Sequence, residues 1–238
     1  MDKLAAGIVD KLNIIGFFNV ILSGGVFLYG LSPILGKYAP QLFYAALGLS
    51  KDIEIAVVLG VACYIIGCAL QSIQELLFKG LKASIANRCL VSADMAANGV
   101  QEKNVLSNTY RREELIELAT RLFSKKELGA FDPNDKEMCS YFLDYCDYSN
   151  SIRGFDGKAD RLNESAAFFE QLAVAFYMLA VVGLFIVVFA KTGEWIYCIG
   201  YLIMGCIFTN RSYRYRLKWA RTVLSTYEAV NDLSASGK

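Results

Sequence analysis

The stretch LAVAFYMLAVVGLFIVVFA, Leu172 to Ala190, runs for nineteen residues without a charged side chain. As a helix it would rise about 30 Å, which is the thickness of a bilayer's hydrocarbon core. Three further apolar runs accompany it: Ile14 to Leu35, Ile55 to Ile73 and the shorter Trp195 to Phe208. They fall into two pairs, each a candidate hairpin. The last run reaches across only if its flanks, Thr192 to Gly193 or Thr209 to Asn210, enter the interface; it is read as a span because its partner must return.

Composition agrees with that reading. Of 238 residues, 55% are hydrophobic and 20% charged, and the net charge is +1. The chain has no global field to attract polyanions, so any basic feature acts locally. There is no histidine, which removes the commonest general base and metal ligand. No glycine-rich phosphate-binding pattern occurs. Acidic residues at helical spacing, Asp144 with Asp147 and Glu113, Glu114 with Glu117, read as solvated helix faces. No enzyme is expected, and no metal or other cofactor.

Lysine and arginine set the expected orientation. With both termini and the region between spans two and three on one side, 21 of the 24 basic residues share that side, and only Lys37, Lys51 and Lys191 lie opposite. The positive-inside rule places the crowded side in the cytoplasm. The expected location is therefore the cell inner membrane, multi-pass, with both termini cytoplasmic. The first run is too long for a signal-peptide core and lacks a small-residue cleavage site after it, so it is expected to remain a membrane helix. The seven cysteines lie in spans or on the cytoplasmic side, a reduced-thiol distribution. Cys139 and Cys146, seven apart, share a helix face and read as core rather than as a redox pair.

The fold expected is an all-α integral membrane protein with four transmembrane helices in two hairpins and a cytoplasmic helical insert. Its parts are a first hairpin (1–73), a cytoplasmic helical domain with stalks (74–165), a second hairpin (166–210) and a basic amphipathic tail helix (211–238). Within the insert, Gln74 to Val91 continues span two. Ser107 to Lys126 is a helix opened by Asn108 and Thr109, with Glu113 and Glu114 in its first turn. Phe131 to Asn150 is a helix with Asp132 as N-cap and Pro133 at its first position. A two-glycine turn follows, and a helix from about Ala159 runs into span three.

Two sets of residues stand out as candidate sites. Span one carries Asn19, Ser23, Gly24, Gly25 and Pro33, a polar and breakable face that serves either as packing glue between helices or as the lining of a polar path or oligomer axis. The tail stretch IFTNRSYRYRLKWARTVLSTY, Ile207 to Tyr227, holds Arg211, Arg214, Lys218 and Arg221 at helical spacing. They are assigned to anionic lipid headgroups or an anionic ligand, with Tyr213, Tyr215 and Trp219 near the headgroups. The complementary stripe of Tyr213, Leu217, Ala220, Leu224 and Tyr227 needs an apolar partner, either the cytoplasmic bundle or the same helix of a second subunit. Its position after a span weighs against direct nucleic-acid binding. No acidic or basic residue is expected deep in a span, which disfavours an ion-coupled carrier.

The segments FFNVILSGGVFLYGL, RLNESAAFFEQLAVAF and NRSYRYRLKWARTVLSTYEAV give a layout that resembles small uncharacterised bacterial four-span membrane proteins, some of them components of anti-phage defence systems. The resemblance covers about a quarter of the chain. It implies membrane effector or sensor activity with a soluble partner protein, and the function expected of the chain is that of a non-enzymatic, oligomeric inner-membrane component, pore-forming or membrane-perturbing. A small-solute transporter or channel is the alternative.

Overall fold

The computed structural model describes residues 14–38, 52–91, 112–155, 157–190 and 195–236, and all its regular structure is helical. In chain order the helices are α1 (Ile14–Tyr38), α2 (Asp52–Val91), α3 (Arg112–Lys125), α4 (Lys136–Ile152), α5 (Gly157–Ala190) and α6 (Trp195–Ser236). Two of them contain segments long and apolar enough to cross a membrane, Val57–Leu90 and Gly157–Phe189, while Gly16–Leu31 is a shorter apolar stretch. That is two helices where four spans were expected. The fourth expected run, Trp195 to Phe208, is short because the same helix turns basic from Arg211 onward.

The chain divides into two compact units, one of Met1–Leu77 with Glu164–Ser212 and one of Phe78–Asn163 with Tyr213–Lys238. Helices α2, α5 and α6 each contribute to both. In the first unit, α1 and α2 cross with their backbones in contact. A Cβ built on Gly24 would overlap the Cys63 carbonyl, and one built on Gly67 would overlap the Val20 carbonyl. Only glycine permits such an approach, and the gain is continuous van der Waals contact along two apolar helices. Ser23, fully buried beside this crossing, donates its hydroxyl to the Val20 carbonyl at 2.9 Å. This places the glycine–serine face of α1 against α2 of the same chain.

The second unit is a helical bundle with an ordinary apolar core. Leu115, Ala119 and Phe123 recur every four residues on α3; Cys139, Phe142, Leu143 and Cys146 line α4; Ala220, Val223, Leu224 and Tyr227 line α6. Each set is one stripe of a 3.6-residue period. The Phe142 and Tyr227 rings meet edge to face, 6.1 Å between centroids. The apolar stripe of the tail thus has its partner inside the chain, with Tyr213 and Leu217 partly buried against the same core. Trp219, expected near headgroups, is instead 1% exposed within this core. Its position one residue before Ala220 puts it on the packed side of α6, where its large apolar area stabilises most.

Caps explain where the bundle helices begin and end. The expected N-cap Asp132 belongs to the preceding turn, where it accepts from Asn134 N at 2.8 Å. Asp135 is the cap, its Oδ1 accepting from Glu137 N and Met138 N at 2.8 and 3.3 Å. The sequence DPND offers two aspartates, and the turn around Pro133 takes the first. The expected caps Asn108 and Thr109 lie outside the described residues. Helix α4 ends with Gly154 at φ +75°, Phe155 N bonding Asn150 O at 2.9 Å and Gly154 N bonding Ser151 O at 3.0 Å. This is the Schellman arrangement. Helix α3 ends the same way, but with Glu127 at φ +56° in the left-handed position.

Two expectations follow. Glu127→Gly should raise the unfolding free energy of the second unit by about 0.5–1 kcal/mol, since the strain relieved exceeds glycine's entropic cost; denaturant titration followed by circular dichroism reads it. Gly24→Leu should destabilise the first unit by about 1–3 kcal/mol or more through overpacking. Thermal unfolding in detergent should show this at any protein concentration, because the contact lies within one chain.

Candidate functional site

The most unusual chemistry lies at Glu170 in the first unit. Glu170 is 2% exposed. It sits on the packed face of α5 with Ala166, Ala173 and Val174, all buried. Its Oε2 accepts from the Gln74 amide nitrogen on α2 at 2.7 Å, and its Oε1 accepts from the Ser212 hydroxyl on α6 at 2.9 Å. One carboxylate therefore joins three helices. Gln74 and Ser212 are themselves buried, and the Gln74 amide oxygen has no hydrogen-bond partner from the protein.

Similar pairs continue along the same helices. The Tyr177 hydroxyl on α5 lies 2.9 Å from the Thr209 hydroxyl on α6, and the Tyr201 hydroxyl on α6 donates to the Gly30 carbonyl on α1 at 2.7 Å. Beside them the rings of Phe169, Phe208 and Phe176 stack in series, with centroids 6.0 and 5.5 Å apart. Glu170 precedes the uncharged run by two residues and is nonetheless enclosed, because the neighbouring helices extend past it. The alanines one turn to either side were the signal available in the sequence, since small residues mark a closely packed face.

The candidate residues of span one are gathered only in part. Gly24 and Gly25 face α2, where a Cβ on Gly25 would stand 3.7 Å from the Cys63 sulfur; Ser23 is buried and bonded within α1, and Asn19 is half-buried. Pro33 lies within α1, which continues to Tyr38, and its side-chain surroundings are outside the described residues. Of the basic set, Arg211, Arg214 and Lys218 are exposed and Arg221 is half-buried. The Arg211 guanidinium lies over the Phe169 ring at 5.9 Å and the Lys218 ammonium over the Tyr215 ring at 5.7 Å, distances suited to cation–π attraction. Two other basic residues bond side chains of the second unit: the half-buried Arg216 bonds Asn163, and the exposed Arg88 bonds the Tyr213 hydroxyl at 2.5 Å.

Among the described residues no group of histidine, cysteine and carboxylate side chains has the arrangement of a metal site. Cys139 and Cys146 are both free and fully buried in the second-unit core. Burial pushes the Cys139 thiol from 9.0 up to about 11, with the carboxylates of Asp135 and Asp132 adding to the rise against the Asn87 hydrogen bond. Burial, then Asp147, pushes Cys146 well above the ordinary value. Such thiols are neutral at neutral pH and do not act as nucleophiles. The chain matches no protein-family model, and no curated protein or solved structure matches it.

Two measurements check this picture. In the folded protein Cys139 should resist maleimide at pH 7 and react only as the pH approaches 11. Because its folded value is raised, the stability it contributes is present below pH 9 and is lost as pH rises through about 11. Glu170→Ala should cost about 1–3 kcal/mol for each donor left unsatisfied on Gln74 and Ser212, whereas Glu170→Gln, which keeps an acceptor, should cost less. Unfolding in detergent compares the two.

Proposed function

We propose that the chain is a four-span inner-membrane protein that works without enzymatic chemistry, as an oligomeric sensor or effector that perturbs the bilayer. The observation that carries the reading is the surface of the first unit. Leu76 at 78%, Ile196 at 76% and Phe189 at 72% exposure are accompanied by Phe18, Val57, Ile65, Phe185 and Ile203, all exposed. So many exposed large apolar side chains are costly in water and are what a lipid-facing helix requires. Helix α1, at 25 residues, has the length of a span, and the apolar start of α6 completes the second hairpin with help from its flanks.

The 21 to 3 division of basic residues supports an orientation with both termini and residues 74–165 in the cytoplasm. The exposed Arg211, Arg214 and Lys218, with Arg221, then meet anionic headgroups at the inner face. The bundle of the second unit provides a surface for a soluble cytoplasmic partner. The layout's resemblance to bacterial defence components supports anti-phage defence as the setting. A channel or small-solute transporter is the second reading, favoured by the hydrogen-bonding groups that join α1, α2, α5 and α6.

Reporter fusions at Ser50 and Gly193 should read as periplasmic and those at Gly129 and Lys238 as cytoplasmic; a cytoplasmic signal at Ser50 would defeat the four-span topology. Replacing Arg211, Arg214, Lys218 and Arg221 together by Gln should lower membrane accumulation, each contributing on the order of 1 kcal/mol of attraction to anionic lipid. The double change Arg214→Lys and Arg221→Lys should be mild for a headgroup contact. Normal accumulation with lost cellular activity would instead indicate bidentate recognition of a specific ligand.

A further inference from the structure

On α6, Tyr201, Gly205, Thr209 and Ser212 recur at steps of four, four and three, and so share one face of the helix. Each meets another helix of the first unit: Tyr201 the Gly30 carbonyl, Thr209 the Tyr177 hydroxyl, Ser212 the Glu170 carboxylate. Eleven residues of helix separate the first from the last, a column about 16 Å long, or about half the hydrocarbon core of a bilayer. Interhelical hydrogen bonds alone can be glue between helices. A buried carboxylate at one end is different, because ionisable groups among membrane helices mark routes for ions or substrates.

The sign of the column is set by its atoms. It offers oxygen ligands: the Glu170 carboxylate, the Gly30 carbonyl, the Thr209 and Tyr hydroxyls, and the buried Gln74 amide oxygen that has no protein donor. No Lys or Arg occurs between residues 14 and 36, 55 and 77, 164 and 190, or 195 and 210, and Arg211, the one basic residue beside Ser212, is exposed with its guanidinium over the Phe169 ring. Such surroundings favour a cation and reject an anion. Midway along, the Tyr177 ring lies directly on Gly205. A Cβ built there would stand 2.6 and 2.7 Å from two of its ring carbons, so the ring fills space that any other residue at position 205 would occupy.

We propose that this column is a path for small monovalent cations through the first unit, with Glu170 as the group that admits them and the Tyr177 ring, seated on Gly205, as the plug that closes it. The proposal rests on the membrane-spanning reading of the first unit and adds to it the route, the sign of the permeant ion and the closing residue.

The full chain, reconstituted into phosphatidylcholine–phosphatidylglycerol vesicles loaded with KCl, tests it without knowledge of any natural trigger. Resistance to alkaline extraction is measured first, and helicity by circular dichroism alongside; a chain that is extracted contradicts the membrane reading itself. Among inserted, helical proteins, the unmodified chain and Tyr177→Phe, which keeps the ring, should hold K⁺. Tyr177→Ala should release K⁺ faster by on the order of tenfold while retaining Cl⁻, and adding Glu170→Gln should abolish that preference. A Tyr177→Ala protein that is inserted and helical yet tight overturns the proposal, and the hydroxyl pairs are then helix glue alone. A leak equal for K⁺ and Cl⁻ and indifferent to Glu170→Gln overturns it too, as does a Tyr177→Phe protein that leaks like Tyr177→Ala.

Discussion

The Glu170 carboxylate, 2% exposed and held by Gln74 and Ser212, fixes how three helices of the first unit meet. A buried charge or polar group is stabilising only when its hydrogen bonds are made, and removing one partner leaves the others exposed to the full cost of desolvation. Apolar helix faces slide past one another with little penalty, since one leucine contact resembles the next. A carboxylate that must meet one amide and one hydroxyl permits a single register. The Gly24 and Gly67 backbone crossing does the same for α1 on α2 by shape, as only glycine allows the approach.

Helices α2, α5 and α6 each take part in two units with opposite surface chemistry. In the first unit the same helices that expose Leu76, Phe185, Phe189 and Ile196 enclose Gln74, Glu170, Gln171 and Ser212. In the second unit the arrangement is reversed: Ile85, Leu90, Val223 and Leu224 are enclosed, while Arg88, Arg214 and Lys218 are exposed. Polar residues inside and apolar ones outside suit a lipid environment, and the reverse suits water. A single helix such as α6 satisfies both by changing its outward residues near Arg211 without interrupting its backbone hydrogen bonds.

Much of this order was legible in the residues. The 3.6-residue period marked α3 and α4 and the unbroken run of α5, and the stripe through Ala220, Leu224 and Tyr227 announced a packed face. What escaped the sequence was decided by tertiary neighbours. Asp132 and Asp135 are equally good caps locally, and only the turn around Pro133 chooses between them. Trp219 has the chemistry of a headgroup residue and the position of a core residue, and position prevailed. Glu170 drew no reading of its own, because nothing in a linear sequence shows that Gln74 and Ser212, 96 and 42 residues away, will enclose it. Ser212 was hidden among the arginines and tyrosines around it, whose charge drew the eye to the exposed side of the same helix.

The chain contains two tryptophans, one in each unit, which makes the proposed lipid contact of the first unit directly measurable. Trp195 is half exposed at the start of α6, and Trp219 is enclosed in the bundle core. In vesicles of lipids brominated on their acyl chains, Trp219→Phe leaves Trp195 as the only indole, and Trp195→Phe leaves Trp219. A first unit that crosses the bilayer requires strong quenching of Trp195 and near-normal emission from Trp219. Emission from Trp195 that the brominated chains leave untouched, in protein bound to the vesicles, would contradict it.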